Sequence, residues 1–174
     1  DTIMLGVLAS EREVGLYSVA FNLMEGTFFI PTIVMAAIFP GLSQAKHFSA
    51  YFRKGVLLLT LSGIAGGSAV FLLAEWIIHL FFAAEFQHSA DILQILAFAI
   101  PLVFWGYLMT QSLVALDHNR IYLGITAGGV LLNVLLNFWL IPEHGASGAA
   151  VATVITEALI PFSCFLMILK HQLS

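Results

Sequence analysis

The sequence predicts an all-α, polytopic transmembrane bundle of about five complete helices plus the end of a sixth. Three observations predict it. Hydrophobic residues make up 60% of the chain and charged residues only 9%, with a mean hydropathy of +1.00. A soluble domain carries about 25% charged residues because it must wet its surface, and six Lys+Arg with ten Asp+Glu in 174 residues cannot coat a particle of this size. Finally, the apolar residues fall into long stretches divided by polar or Pro/Gly punctuation. A helix needs about 20 such residues to cross the hydrocarbon at 1.5 Å per residue. The strands of a membrane barrel would be about 10 residues long and alternate in polarity.

The elements follow in order. Asp1–Leu8 reads as the tail of a helix, and Ser10-Glu11-Arg12-Glu13 separates it from segment A, about Val14–Phe39. Pro40-Gly41 ends A, and the polar stretch Gln44–Lys54 precedes segment B, about Val56–Phe82. Glu85–Ser89 leads into segment C, about Ala90–Leu116, and Asp117-His118-Asn119 is a tight link to segment D, about Arg120–Ile141. Pro142-Glu143-His144-Gly145 turns the chain into segment E, about Gly145–Leu169. Short links make successive helices antiparallel neighbours. No soluble domain, low-complexity tract or internal repeat interrupts 1–174. The chain opens on Asp1, with no Met and no basic leader, so it is expected to be a piece of a longer protein.

Orientation follows from the basic residues. Lys46, Arg53, Lys54, Arg120 and Lys170 fall on one side, and Arg12 alone on the other. The A–B link, the C–D link and the C-terminus are therefore expected to be cytoplasmic. Trp76 and Trp139, near the outer ends of B and D, suit interfacial anchors. Small residues at helical spacing mark close packing: Gly63 with Gly67, Gly124 with Gly128, and Gly148 with Ala152.

The chemistry-bearing residues are the polar ones at depth. Glu25 and Glu157 lie about halfway along A and E, where a charge costs about 3 kcal/mol and so normally faces a cavity or a partner. Ser18, Asn22 and Glu25 line one face of A; Thr126, Asn133 and Asn137 share a face of D; Thr153 and Glu157 share a face of E. Three polar stripes at similar depth point to a hydrated central cavity, against the plainer reading of hydrogen-bonded glue between helices. Pro31, Pro101 and Pro161 sit inside helices and are hinge candidates.

Other chemistries find no support. His47, His79, His88, His118, His144 and His171 sit in links, at helix ends or near the tail, without H-E-x-x-H or a similar metal spacing. There is no nucleophile elbow, P-loop or dinucleotide turn, so neither a catalytic centre, a metal nor a cofactor is expected. A formal charge of −4 gives no reason to expect nucleic acid. The single Cys164 lies in an apolar run and suits packing.

The order of residues carries a resemblance. Asp1-Thr2-Ile3-Met4-Leu5-Gly6 is followed by Glu13-Val14-Gly15-Leu16-Tyr17-Ser18-Val19-Ala20, Phe29-Ile30-Pro31 and Phe39-Pro40-Gly41-Leu42-Ser43. Asn133, Asn137, Leu140-Ile141-Pro142, the run Gly145–Thr153 and Glu157 close the pattern. Over essentially its whole length the chain resembles the C-terminal half of the O-antigen and exopolysaccharide repeat-unit flippases. These belong to the multidrug/oligosaccharidyl-lipid/polysaccharide exporter superfamily.

The resemblance implies a two-lobe transporter of the cytoplasmic membrane whose N-terminal lobe precedes this chain. Asp1 would lie in the seventh helix and A–E would be helices eight to twelve. The implied activity is flipping of undecaprenyl-diphosphate-linked oligosaccharide by alternating access, with membrane lipid around the tail and H⁺ or Na⁺ as coupling ion. Asp1 thereby joins Ser18, Asn22, Glu25, Asn133, Asn137, Thr153 and Glu157 as a candidate for the substrate cavity or ion coupling. One departure stands out: no Lys or Arg lies at mid-membrane depth to meet a diphosphate. A related cation antiporter, a lipid II flippase, or a membrane-embedded glycan polymerase or acyltransferase are the competing expectations.

Overall fold

The computed structural model describes residues 1–172, with side chains through residue 170, so His171 lies outside the described side chains. It is a helical bundle with no strand among the described residues. The helices are α1 (Thr2–Leu8), α2 (Glu11–Glu25), α3 (Phe29–Leu42), α4 (Phe48–Phe81), α5 (Ser89–Ala97), α6 (Ala99–Ala115) and α7 (Asn119–Gln172).

Segment A begins where the sequence supplies a cap. Ser10 accepts a hydrogen bond from the Glu13 amide at 3.4 Å, and Glu11 and Glu13 place negative charge in the first turn. A 3-10 turn, Gly26–Phe28, then divides α2 from α3. Pro31 explains it. Its ring would clash with a carbonyl one turn back in a continuous helix, but the restart at Phe29 puts it in a first turn, where proline is tolerated. The pair still forms one candidate span, Glu11–Leu42, of 32 residues. Pro40 does not stop the helix, which runs on to Leu42.

Segment B is α4, unbroken over 34 residues. Segment C is broken: α5 and α6 meet at Phe98 with a bend of 42°. Pro101 cannot donate to the Ala97 carbonyl, so the ladder fails there. The bend is packed by the expected glycine pair. A side chain at Gly63 would meet Pro101 Cα at 2.9 Å, and one at Gly67 would meet the Ala97 carbonyl oxygen at 2.9 Å. The C–D link closes α6 with a Schellman pair, His118 N–H to Leu113 C=O at 2.8 Å and Asp117 N–H to Val114 C=O at 3.0 Å. Asp117 takes the left-handed position there, with φ 61°.

Segments D and E are the two arms of α7, which reverses at Gly145 (φ 54°, ψ −133°). A straight helix of this length would far exceed the roughly 30 Å of hydrocarbon. The arms instead fold back on each other: Gly129 faces Ile160 and Thr156, and Gly148 presses on the Leu140 carbonyl. The second contact was expected of Gly148; the Gly124–Gly128 contact was not realised. Among the described residues, nothing outside the local helix backbone stands within 4 Å of either Cβ position, and Gly129 makes the close approach instead. Glu13 locks the reversal from α2, its carboxylate accepting from the Ala146 amide at 2.7 Å.

The core gathers on α6, which packs against α3, α4 and α7. Ile100, Phe104, Leu108, Met109 and Leu113 are fully buried, along with Leu93 and Leu96 of α5 and Leu59 of α4. The outside is apolar: Leu57, Leu61, Leu72 and Phe81 of α4, and Leu131, Leu135, Phe138 and Phe162 of α7, are all exposed. Exposed apolar area of this extent needs lipid around it. Trp76 (60% exposed) and Trp139 (73%) stand on that surface, consistent with anchoring at its rim.

Candidate functional site

The polar stripes separate into two places. One is a buried knot near the end of the bundle where Ser10, the α4–α5 link and Gly145 lie. Asp1 sits at its centre. Asp1 Oδ2 accepts from the Tyr17 hydroxyl at 2.9 Å and from the Thr153 hydroxyl at 2.9 Å. Asp1 Oδ1 accepts from the Asn137 amide, which also donates to Asn133 Oδ1 at 2.9 Å. Tyr17 and Thr153 stand 3.1 Å apart, and the Thr153 hydroxyl is 3.0 Å from the Ala149 carbonyl.

The knot forms because these residues sit at matching depth. Asp1, Tyr17, Asn137 and Thr153 each lie roughly 12 Å, at 1.5 Å per residue, from Ser10 or Gly145, and Asn133 lies one turn deeper. Helices α1, α2 and the two arms of α7 bring them together. Asn137 is 0% exposed, Tyr17 1% and Thr153 6%. The oxygen inventory exceeds the hydrogens available. Two hydroxyl hydrogens serve Asp1 Oδ2, the Ala149 carbonyl and each other's oxygens, while Asn137 Oδ1 is buried with no partner among the described residues. Such a surplus of oxygen acceptors around one carboxylate suits a proton or a hard cation.

Glu157 stands one turn beyond Thr153 on the same face of the second arm. It is half-buried and makes no hydrogen bond or ion pair among the described residues.

The second place is an outward stripe. Asn22 and Glu25 are exposed, and Ser18 is half-buried, on the opposite side of α2 from Leu16, Tyr17, Ala20 and Met24. These three do not join the knot. Thr126 also stays apart, donating back to the Tyr122 carbonyl of its own arm. Among the hinge candidates, Pro31 borders the 3-10 turn and Pro101 the 42° bend. Pro161 lies in α7, whose one non-helical residue is Gly145.

Sequence reading missed Tyr17 as a polar ligand and Glu13 as a clamp. Tyr17 neighbours the Ser18 stripe yet points the other way, which only the helix packing reveals. Glu13 carried a signal, since its S-x-x-E position is that of a capping box; the fold turns its carboxylate to the Gly145 reversal.

The two ends of the bundle differ in charge. Arg12, Glu13, His88, Asp91, His144 and Ser147 surround a cavity of about 330 Å³ at one end, where His88 and Asp91 pair at 3.6 Å. Lys46, Arg53, Lys54, Arg120 and Lys170 gather toward the other, at the α3–α4 link, the α6–α7 link and the end of α7. The expected segregation of basic residues is present in the fold.

Comparison with known proteins agrees with this architecture. The MatE family model matches residues 1–139. The chain is 27% identical over 165 residues to the probable low-salt glycan biosynthesis flippase Agl15 of Haloferax volcanii, covering 91% of this chain and 35% of that protein. It is 26% identical over 167 residues to the probable flippase AglR of the same organism, with the same coverage. It is also 26% identical over 160 residues to the uncharacterized membrane protein MJ1375 of Methanocaldococcus jannaschii, covering 90% of this chain and 38% of that protein. The chain thus spans about a third of the length of these curated relatives. No solved structure matches it. With the family model covering most of an all-helical membrane bundle, this multi-pass chain belongs to the MatE family.

Proposed function

We propose that this chain is one lobe of a two-lobe transporter that flips polyprenyl-diphosphate-linked oligosaccharide across the cytoplasmic membrane by alternating access. The observation that carries the reading is the exposed stripe of Ser18, Asn22 and Glu25. Glu25 lies midway along the span Glu11–Leu42 and projects outward from the lobe. A carboxylate at that depth cannot face lipid cheaply, so this side faces water and a second lobe, and the stripe forms half of a hydrated path. The printed name of the Haloferax relative Agl15, a probable glycan biosynthesis flippase, supports a glycan-bearing substrate.

In the same reading the knot around Asp1 holds the coupling ion, H⁺ or Na⁺. It lies apart from the path on the far side of α2, so an ion bound there can bias how α1, α2 and α7 pack without competing with the head group. The end rich in Lys and Arg faces the cytoplasm, which puts the C-terminus there.

The test is reconstitution of the complete parent chain in vesicles holding a fluorescent polyprenyl-diphosphate oligosaccharide. Protein-dependent exchange of the sugar between leaflets, quickened by an H⁺ or Na⁺ gradient, is the expected result. Extrusion of cationic dyes with no exchange of the glycolipid would overturn the reading in favour of an antiporter.

A further inference from the structure

We propose that the groove between α3 and α6, walled by Thr32, Phe39, Tyr107 and Gln111, is a subsite for an uncharged sugar ring of the head group. The inference rests on the flippase reading and names where part of its substrate is held.

The groove is the continuation of the outward stripe. Asn22, Glu25, Phe29, Thr32, Ala36 and Pro40 recur at spacings of three and four, and all six are exposed. The last three line a cavity of about 330 Å³ together with Met35, Phe39, Tyr107 and Gln111. Its size falls at the lower end of small-ligand sites, roughly 300–1,000 Å³. Its position is toward the end of the bundle rich in Lys and Arg, since Gln111 lies in the last turns of α6 and Pro40 near the end of α3.

The chemistry of the walls selects the occupant. Among the described residues no Lys, Arg, His, Asp or Glu lines the groove, so a diphosphate finds no charged partner there. A lipid tail would leave the Gln111 amide and the Tyr107 hydroxyl unpaired, which hydrocarbon penalises. Neither side chain makes a hydrogen bond among the described residues. The Thr32 hydroxyl donates to the Phe28 carbonyl at 2.8 Å, so its oxygen remains able to accept. Tyr107 and Gln111 are one helical turn apart and face the groove together. The Tyr107 ring is steadied by Phe28 at 6.5 Å between centroids. A pyranose meets such walls well: its C–H face lies on the rings of Tyr107 and Phe39, and its hydroxyls bond the amide and the phenol.

The experiment uses the complete chain, its other cysteines replaced by serine, carrying Gln111→Cys, Thr32→Cys or Asn22→Cys. The rate of maleimide labelling is measured in vesicles with two probes: polyprenyl diphosphate bearing an oligosaccharide, and the same lipid bearing none. Expected is a several-fold slowing at Gln111→Cys with the glycan-bearing lipid and none with the bare lipid. Thr32→Cys, on the opposite wall, should behave alike and covers the case in which the first variant does not fold. Equal slowing by both lipids would overturn the subsite, and so would slowing at Asn22→Cys with none at Gln111→Cys or Thr32→Cys; the latter leaves the transport reading standing. No slowing at any of the three positions would remove the transport reading itself.

Discussion

A single carboxylate shows how position sets the task of a residue in lipid. Asp1 is surrounded by three donors and a surplus of oxygen atoms, whereas Glu25 is exposed on a face of α2 with no such company. In the proposed mechanism the first belongs to coupling and the second to the path. Asp1→Asn in the complete parent should therefore abolish acceleration by an ion gradient while leaving membrane insertion intact, read as initial flipping rates with and without the gradient. Glu25→Gln and Glu157→Gln should each lower the flipping rate with normal insertion. Parental rates from both would remove the argument built on mid-depth carboxylates. Asn137→Ala takes a donor from Asp1 and from Asn133 together, so a loss on the order of tenfold in coupled rate is expected, measured in the same vesicles.

The elements are shaped by where the backbone ladder fails and by what fills the gap. Gly145 adopts a φ of 54°, and a side chain there would strike the Glu13 carboxylate that holds the turn. Gly145→Ala should cost about 1–3 kcal/mol, seen as a lower melting temperature of the purified protein in detergent. At the α5–α6 bend the fault lies at Pro101, and α4 fits against it only because Gly63 and Gly67 carry no side chain. Gly67→Val should cost about 1–3 kcal/mol by overpacking against the Ala97 carbonyl and the Pro101 ring. Gly124→Ala, by contrast, meets open space and should leave the melting temperature unchanged in the same assay.

At the scale of the molecule, an apolar jacket and charge segregated to two ends define a bundle with a direction. Ser49 follows the α3–α4 link and is exposed, and the His88 side chain is 72% exposed at the other end. Cysteines at these two positions should label with impermeant reagents from opposite sides of the membrane. His88 is the better outer probe than its neighbour Ser89, which is fully buried and donates to the Leu16 carbonyl at 2.9 Å. Labelling of both from one side would break the topology. The outward stripe on α2 and α3 also has a consequence at this scale. In the proposed two-lobe transporter that face meets the second lobe, so a crosslink from Asn22→Cys to that lobe is expected.

The sequence by itself determined the all-α membrane class, the order of the helices and the gathering of Lys and Arg toward one end. All of these follow from local quantities: run length, the spacing of Lys and Arg, and Pro/Gly punctuation, which hydrocarbon enforces residue by residue. The tertiary structure decided which polar residues meet. Asn133, Asn137 and Thr153 share the knot with Asp1, while Ser18, Asn22 and Glu25 turn away from it. Helical periodicity assigns residues to a common face, but the rotation of each helix about its axis is set by side-chain packing against several neighbours at once. Tyr17 and Glu13 found their partners by that packing, and so did the walls of the α3–α6 groove, where Thr32, Tyr107 and Gln111 line one cavity. No spacing along the chain encodes those meetings.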